Sequence, residues 1–267
     1  ARRLYPEKTA YICLIILAFC PLLLFCSTRI LIDAQLAFFV TLTLWIFLEA
    51  VKTQRRSLFA FSGIAAGAAV LTKEPGIFVA LPCVYLLLKH GFKGKRALGL
   101  IYFLGCAVLT AFPWYFWFFK VYGTLIPWWA QIYPENLEMF PFIRLVVNRP
   151  WYFYFLNITL TMPICIFAWL GLLRCLRKGQ DLTVLIWALS FLLPVTAFGM
   201  MGQGYQTRYV LPAIPALALL SSSYLGEKGS RIWAAGLFLL ALGFLTGLLN
   251  TYVFRPADIF PLYAFFV

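Results

Sequence analysis

Apolar residues fall into nine blocks, at about 9–26, 35–51, 57–72, 77–88, 98–119, 151–173, 182–199, 209–225 and 232–254, separated by short polar interruptions. A helix needs about 20 apolar residues to cross the hydrocarbon of a bilayer. The pattern therefore predicts nine membrane helices, with 77–88 either half-length or bounded at the wrong residues. The expected fold is all-α, a polytopic transmembrane helical bundle forming a single transmembrane domain over residues 1–267. No internal repeat is visible, which weighs against an inverted-repeat transporter.

Composition sharpens this picture. Hydrophobic residues make up 63% of the chain and charged residues 12%, against about 25% charged in a soluble domain. The net charge of +13 would suit nucleic acid only if the cations shared one continuous face. Instead they sit in clusters between apolar blocks: Arg2, Arg3 and Lys8; Lys52, Arg55 and Arg56; Lys89, Lys93, Lys95 and Arg96; Arg174, Arg177 and Lys178; Lys228 and Arg231. Placing all five clusters in the cytoplasm makes every other loop external, with fifteen Lys and Arg inside against seven outside. This is the positive-inside pattern. It predicts a multi-pass protein of a bacterial or archaeal plasma membrane, or of the endoplasmic reticulum, with its N-terminus cytoplasmic and no nucleic-acid partner.

The seven cysteines lie in or beside apolar blocks without a CxxC pair. They read as small core residues rather than a disulfide frame or metal cage. His90 is the only histidine and falls in a basic loop, which argues against histidine acid–base chemistry. The sequon Asn157-Ile158-Thr159 lies within a predicted helix and is set aside. The chain starts at Ala1 and ends at Val267 inside an apolar run, so it is expected to be a piece of a longer protein.

Three charged interruptions fall on the predicted outer side: Arg29 with Asp33, Lys73 with Glu74, and Arg208. Ionisable groups at membrane depth cost roughly 2.5–3.5 kcal/mol each on insertion scales. Asp33 lies where a helix begins, so the helix dipole alone could hold its carboxylate. Arg29, four residues earlier, could pair with it in a helical stretch. Lys73-Glu74-Pro75-Gly76 reads as a tight turn between short apolar arms. It is either a self-neutralising ion pair or a lysine placed for phosphate. Arg208-Tyr209 closes a glycine-containing loop at the next helix start, where an arginine either anchors to headgroups or grips phosphate oxygens. Converging on one face, these residues suit a lipid-linked phosphate or pyrophosphate substrate. The cations would stabilise charge on the leaving phosphate, and a carboxylate would take a proton from an acceptor or support positive charge on a sugar.

The external segment 120–150 is flanked by Pro113-Trp114-Tyr115-Phe116-Trp117 and Trp151-Tyr152-Phe153-Tyr154 and contains Trp128-Trp129. Trp and Tyr favour the headgroup level. The segment is expected along the outer interface, as an ordinary aromatic belt or as a wall for a lipid-linked ligand.

Four pieces in order carry a resemblance: Arg29-Ile30-Leu31-Ile32-Asp33-Ala34-Gln35-Leu36-Ala37-Phe38-Phe39; Gly63-Ile64-Ala65-Ala66-Gly67 through Leu71-Thr72-Lys73-Glu74-Pro75; Pro113-Trp114-Tyr115; and Arg208-Tyr209-Val210-Leu211-Pro212-Ala213-Ile214-Pro215. Over roughly residues 9–225 this order resembles the C-type polytopic membrane glycosyltransferases. Within these it is most similar to the protein mannosyltransferase and aminoarabinose transferase branch. The resemblance implies that Asp33 matches the family's second acidic position and is catalytic. It makes Lys73 match a lysine of a helical hairpin and Arg208 a basic residue near the lipid phosphate. Arg29, Lys73, Glu74, Arg208 and Tyr209 form the expected substrate-binding set. Glu74 departs from relatives that often carry glycine there, which bears on the lysine's role. The family's first catalytic acid lies in an external loop after the first membrane helix. This chain is expected to begin after the second helix and so to lack that acid, making the fragment inactive alone.

The function so implied is transfer of a sugar, hexosyl or pentosyl, from a polyprenyl-phosphate-linked donor to a lipid, glycan or protein acceptor on the outer face. The sequence leaves two rivals: a transporter or flippase for an anionic lipid or solute, and a noncatalytic membrane subunit. Some family members use a divalent metal ion, which the resemblance leaves open as a cofactor; the two acids Asp33 and Glu74 do not by themselves establish a site.

Overall fold

The structure, a computed structural model, describes residues 5–28, 31–123, 125, 150–178, 182–200, 207–227 and 230–248. Among these, every ordered element is helical. The α-helices are α1 (Glu7–Ala18), α2 (Pro21–Thr28), α3 (Ile32–Thr53), α4 (Arg56–Thr72), α5 (Ala80–His90), α6 (Lys95–Tyr122), α7 (Phe153–Thr161), α8 (Ile166–Lys178), α9 (Thr183–Met200), α10 (Ile214–Gly226) and α11 (Ser230–Leu248). Three 3₁₀ segments join them: Glu74–Val79 leads into α5, Pro163–Cys165 links α7 to α8, and Thr207–Ala213 leads into α10.

All nine predicted blocks are helical over their described residues, and the all-α polytopic reading holds. Among the described residues five helices are long and apolar enough to cross a membrane singly, and α1 with α2, bent by 51°, passes the same test only as a pair, as a broken span or a re-entrant loop. Proline accounts for the pieces that are not single helices. Pro21 and Pro163 lack the N–H that a continuous helix needs, so the first block breaks at 19–20 and the sixth at Met162. The fourth block gains length from its 3₁₀ segment and spans Glu74 to His90. The helix before the aromatic segment reaches Tyr122, where Gly123 in a left-handed conformation (φ 69°) caps it. Most of the 120–150 segment, 124 and 126–149, lies outside the described residues.

The described residues form two compact units, one within 1–38, 151–196 and 206–267, the other within 39–150 and 197–205. In lipid the hydrophobic effect does not drive helices together, so close packing of small residues decides the contacts.

In the first unit α10 is the central helix, with 72% of its span buried. It packs between α1 and α8. Gly171 of α8 lies against its backbone so closely that a methyl there would stand 2.5 Å from the Leu220 carbonyl oxygen. Ser221 of α10 donates to the carbonyl of Ile164 at 3.3 Å. The two proline breaks pack on glycines of α11: a methyl at Gly243 would meet Pro163 at 3.0 Å, and one at Gly247 would meet Pro21 at 2.3 Å. Asn157 of the sequon is buried in α7.

In the second unit α4 and α6 make the tightest pair. A methyl at Gly63 would stand 2.2 Å from the Phe103 carbonyl oxygen, and one at Gly67 would stand 2.6 Å from the Thr110 side chain. The Gly-x-x-x-Gly piece of the sequence is thus a packing face that lets two backbones meet. Phe47 of α3 fills the adjacent space with edge-on contacts to Phe59 and Phe103.

Candidate active site

α3 begins at Ile32, so Asp33 occupies its first turn, where exposed amides and the positive end of the helix dipole favour a carboxylate. Its side chain is only 2% exposed. The group facing it comes from the far end of the sequence: Arg208 Nε stands 3.6 Å from Asp33 Oδ2, with the arginine side chain 25% exposed. That separation is an ion pair but is too long for a direct hydrogen bond. The Arg208 guanidinium also lies over the Tyr209 ring, 5.8 Å from Cζ to the centroid, within cation–π range. A carboxylate and an aromatic face therefore orient the guanidinium, whose two terminal nitrogens carry four further N–H donors.

Local sequence explains how Arg208 arrives there. Pro212 and Pro215 cannot donate backbone hydrogen bonds, so residues 207–213 enter α10 as a 3₁₀ segment. In that pattern the carbonyl of Pro212 would receive its bond from residue 215, which is proline. The buried indole of Trp187, in α9, supplies it instead, with Nε1 donating to Pro212 O at 3.0 Å. This bond fixes the strand of backbone that carries Arg208 and Tyr209. Sequence reasoning missed Trp187; the pair of prolines was the signal that an outside donor would be needed.

At the opposite end of α10, Arg174 of α8 forms an ion pair with Glu227. Asp33 with Arg208, and Arg174 with Glu227, therefore mark the two ends of the same helix.

Lys73 and Glu74 belong to the second unit. Lys73 caps α4 in an extended conformation, and its carbonyl accepts from the Gly76 amide at 2.9 Å. The turn folds back on α4: a methyl at Gly76 would lie 2.4 Å from the Ala69 carbonyl carbon. Glu74 starts the 3₁₀ segment rather than an open loop. It lies within electrostatic reach of Tyr115 of α6, so the Pro113-Trp114-Tyr115 piece and the hairpin share one end of that unit.

Of the predicted set, the fold brings Asp33, Arg208 and Tyr209 together in one unit and Lys73 with Glu74 in the other. Arg29 lies outside the described residues, as does the loop 201–206 before Arg208. Among the described residues no three His, Cys, Asp or Glu side chains gather to hold an ion.

Residues 1–117 match the family described as dolichyl-phosphate-mannose-protein mannosyltransferase. Among curated proteins, the chain is 29% identical over 262 residues to an undecaprenyl phosphate-alpha-4-amino-4-deoxy-L-arabinose arabinosyl transferase of Pseudomonas aeruginosa strain UCBPP-PA14, covering 91% of this chain and 46% of that protein. A protein of the same description, numbered 1, in Pseudomonas fluorescens is 29% identical over 196 residues, covering 67% of this chain and 33% of that one. An uncharacterized protein of Aquifex aeolicus is 28% identical over 241 residues, covering 86% and 46%. The chain thus spans a little under half the length of the first of these relatives. No solved structure matches it. In sequence the chain is similar to membrane glycosyltransferases on the branch of the protein mannosyltransferases and aminoarabinose transferases, and its own described residues form an all-helical, multi-pass architecture.

Proposed function

We propose that the intact protein transfers a sugar from a polyprenyl-phosphate-linked donor to a lipid, glycan or protein acceptor on the outer membrane face. The observation that carries this reading is the buried Asp33 carboxylate facing Arg208 across 3.6 Å at a helix end. In the proposed orientation the five basic clusters lie in the cytoplasm, the N-terminus of this chain with them, and the Asp33–Arg208 pair opens outward.

The donor's phosphate would approach Arg208, whose terminal N–H groups can bind two phosphate oxygens side by side. Negative charge on that phosphate grows as the glycosidic bond breaks, and a fixed cation there stabilises the transition state more than the ground state. Asp33 would take the proton of the acceptor nucleophile or offset positive charge on the sugar. Lys73, which matches the family's hairpin lysine, is read as a substrate-binding residue in its own unit, with Glu74 and Tyr115 setting its surroundings. The partners are then the lipid-linked sugar, the acceptor and membrane lipid.

The test uses the intact protein with a radiolabelled polyprenyl-phosphate sugar. Label should pass to an acceptor in the wild type and be lost in a folded Asp33→Asn variant. Turnover unchanged by that substitution would remove Asp33 from the reaction, and lipid-sugar that binds without cleavage would mark the protein as a carrier.

A further inference from the structure

Four helix ends of the second unit converge at the side away from Lys73: the last turns of α3 and α5 and the first turns of α4 and α6. Arg96 ties them together, with Nε donating to the Val51 carbonyl at 3.4 Å and Nη1 donating to the His90 carbonyl. One turn further along α6, Gly99 seats the ring of Phe59 of α4, leaving no room for a methyl. Arg96 thus covers the negative ends of two helices, α3 and α5. The starts of α4 and α6 have Arg55 and Gly94 at their caps and no side-chain acceptor on their amides.

Around this junction Lys52, Arg55, Arg56, Lys89, Lys93 and Lys95 are exposed. Among the described residues of the unit, Glu49, one turn inside α3, is the only carboxylate on this side, since Glu74 sits at the other end of α4. Seven cations therefore face one acid. Apolar side chains border them: Leu88 is 65% exposed and Phe92, in the α5–α6 loop, is 48% exposed.

We propose that this junction is a docking site for anionic phospholipid headgroups. Charge complementarity selects a phosphate-bearing ligand, because juxtamembrane Lys and Arg clusters draw anionic lipid to themselves. The adjoining Leu88 and Phe92 select a ligand that brings acyl chains with it. The site is separate from the Asp33–Arg208 pair and does not depend on its chemistry.

The test is native mass spectrometry of the intact protein in detergent, titrated with phosphatidylglycerol and, separately, phosphatidylcholine. The wild type should retain phosphatidylglycerol at about tenfold lower concentration than phosphatidylcholine. In an Arg55→Gln/Arg56→Gln/Lys93→Gln/Lys95→Gln variant the preference should fall to near parity. All four side chains are exposed, so the fold should survive, and an unchanged melting temperature in neutral detergent checks this. Lys120→Gln, at the far end of α6, should keep the preference. Equal retention of the two lipids by the wild type, or a preference that survives the fourfold change, would overturn the proposal. Inorganic phosphate competing as well as the lipid does would also overturn it, by showing that a free anion suffices.

Discussion

Asp33 and Arg208 face each other across 3.6 Å, the aspartate almost sealed from solvent and the arginine a quarter open. Their helices are remote in sequence, yet the pair sits within one compact unit. A charge removed from such a pair deprives its partner of that counter-charge, which costs about 3–5 kcal/mol when both are buried. Partial exposure of Arg208 places this pair at the lower end, about 3 kcal/mol. Asp33→Ala and Arg208→Gln should each lower the unfolding midpoint. The double variant should lose clearly less than the two single losses combined. Thermal unfolding in one detergent, run on all four proteins, measures that coupling, and strictly additive losses would show that the two side chains do not act as a pair.

Trp187→Phe keeps an aromatic ring, trims the pyrrole part of the indole and deletes the N–H that reaches Pro212 O. A buried carbonyl left without its donor costs about 1–3 kcal/mol. Because that backbone carries Arg208, the variant should also raise the KM for the lipid-linked sugar more than it lowers kcat. Steady-state kinetics at varied donor, with the melting curve alongside, separates this from simple loss of folded protein.

Two glycines of the α4–α6 pair should behave in opposite ways. Gly63→Ala forces a methyl against the Phe103 carbonyl and should destabilise by about 1–3 kcal/mol as the helices part. Gly105→Ala, in the same helix pair, meets nothing within 4 Å. It should be neutral or stabilise by up to about 1 kcal/mol through helix propensity. Unfolding midpoints of the two variants decide it.

The Arg174–Glu227 pair is the contrasting case, because the glutamate side chain is 47% exposed. Exposed ion pairs contribute about 0–1 kcal/mol. Glu227→Gln should shift stability by less than that and leave sugar transfer within about twofold of wild type. A large loss of transfer would show that this end of α10 takes part in the reaction.

The order of helices was legible because apolar run length is a local property, and so were the positions of Asp33 at a helix start and of the 73–76 turn. The breaks at Pro21 and Pro163 were less so: each proline stood in an apolar run long enough to read as one helix, and only the fold shows the glycines of α11 that receive them. The partner of Asp33 was not legible at all. Local spacing offered Arg29, which lies outside the described residues; the fold adds Arg208, a contact set by how α3 and the approach to α10 pack rather than by any sequence interval. Gly63 and Gly67 entered as part of a family pattern, and the structure gives them their physical task of bringing α4 and α6 to backbone contact.

The distance in sequence between Asp33 and Arg208 also has a bearing on biosynthesis. As the chain emerges from the ribosome, α1 through α9 are made before the segment that holds Arg208. During that interval the carboxylate stands at the membrane without this counter-charge. Insertion of the Thr207–Ala213 segment closes the pair, so the candidate site is completed late in synthesis, and a chain released before that point would lack the Arg208 contact.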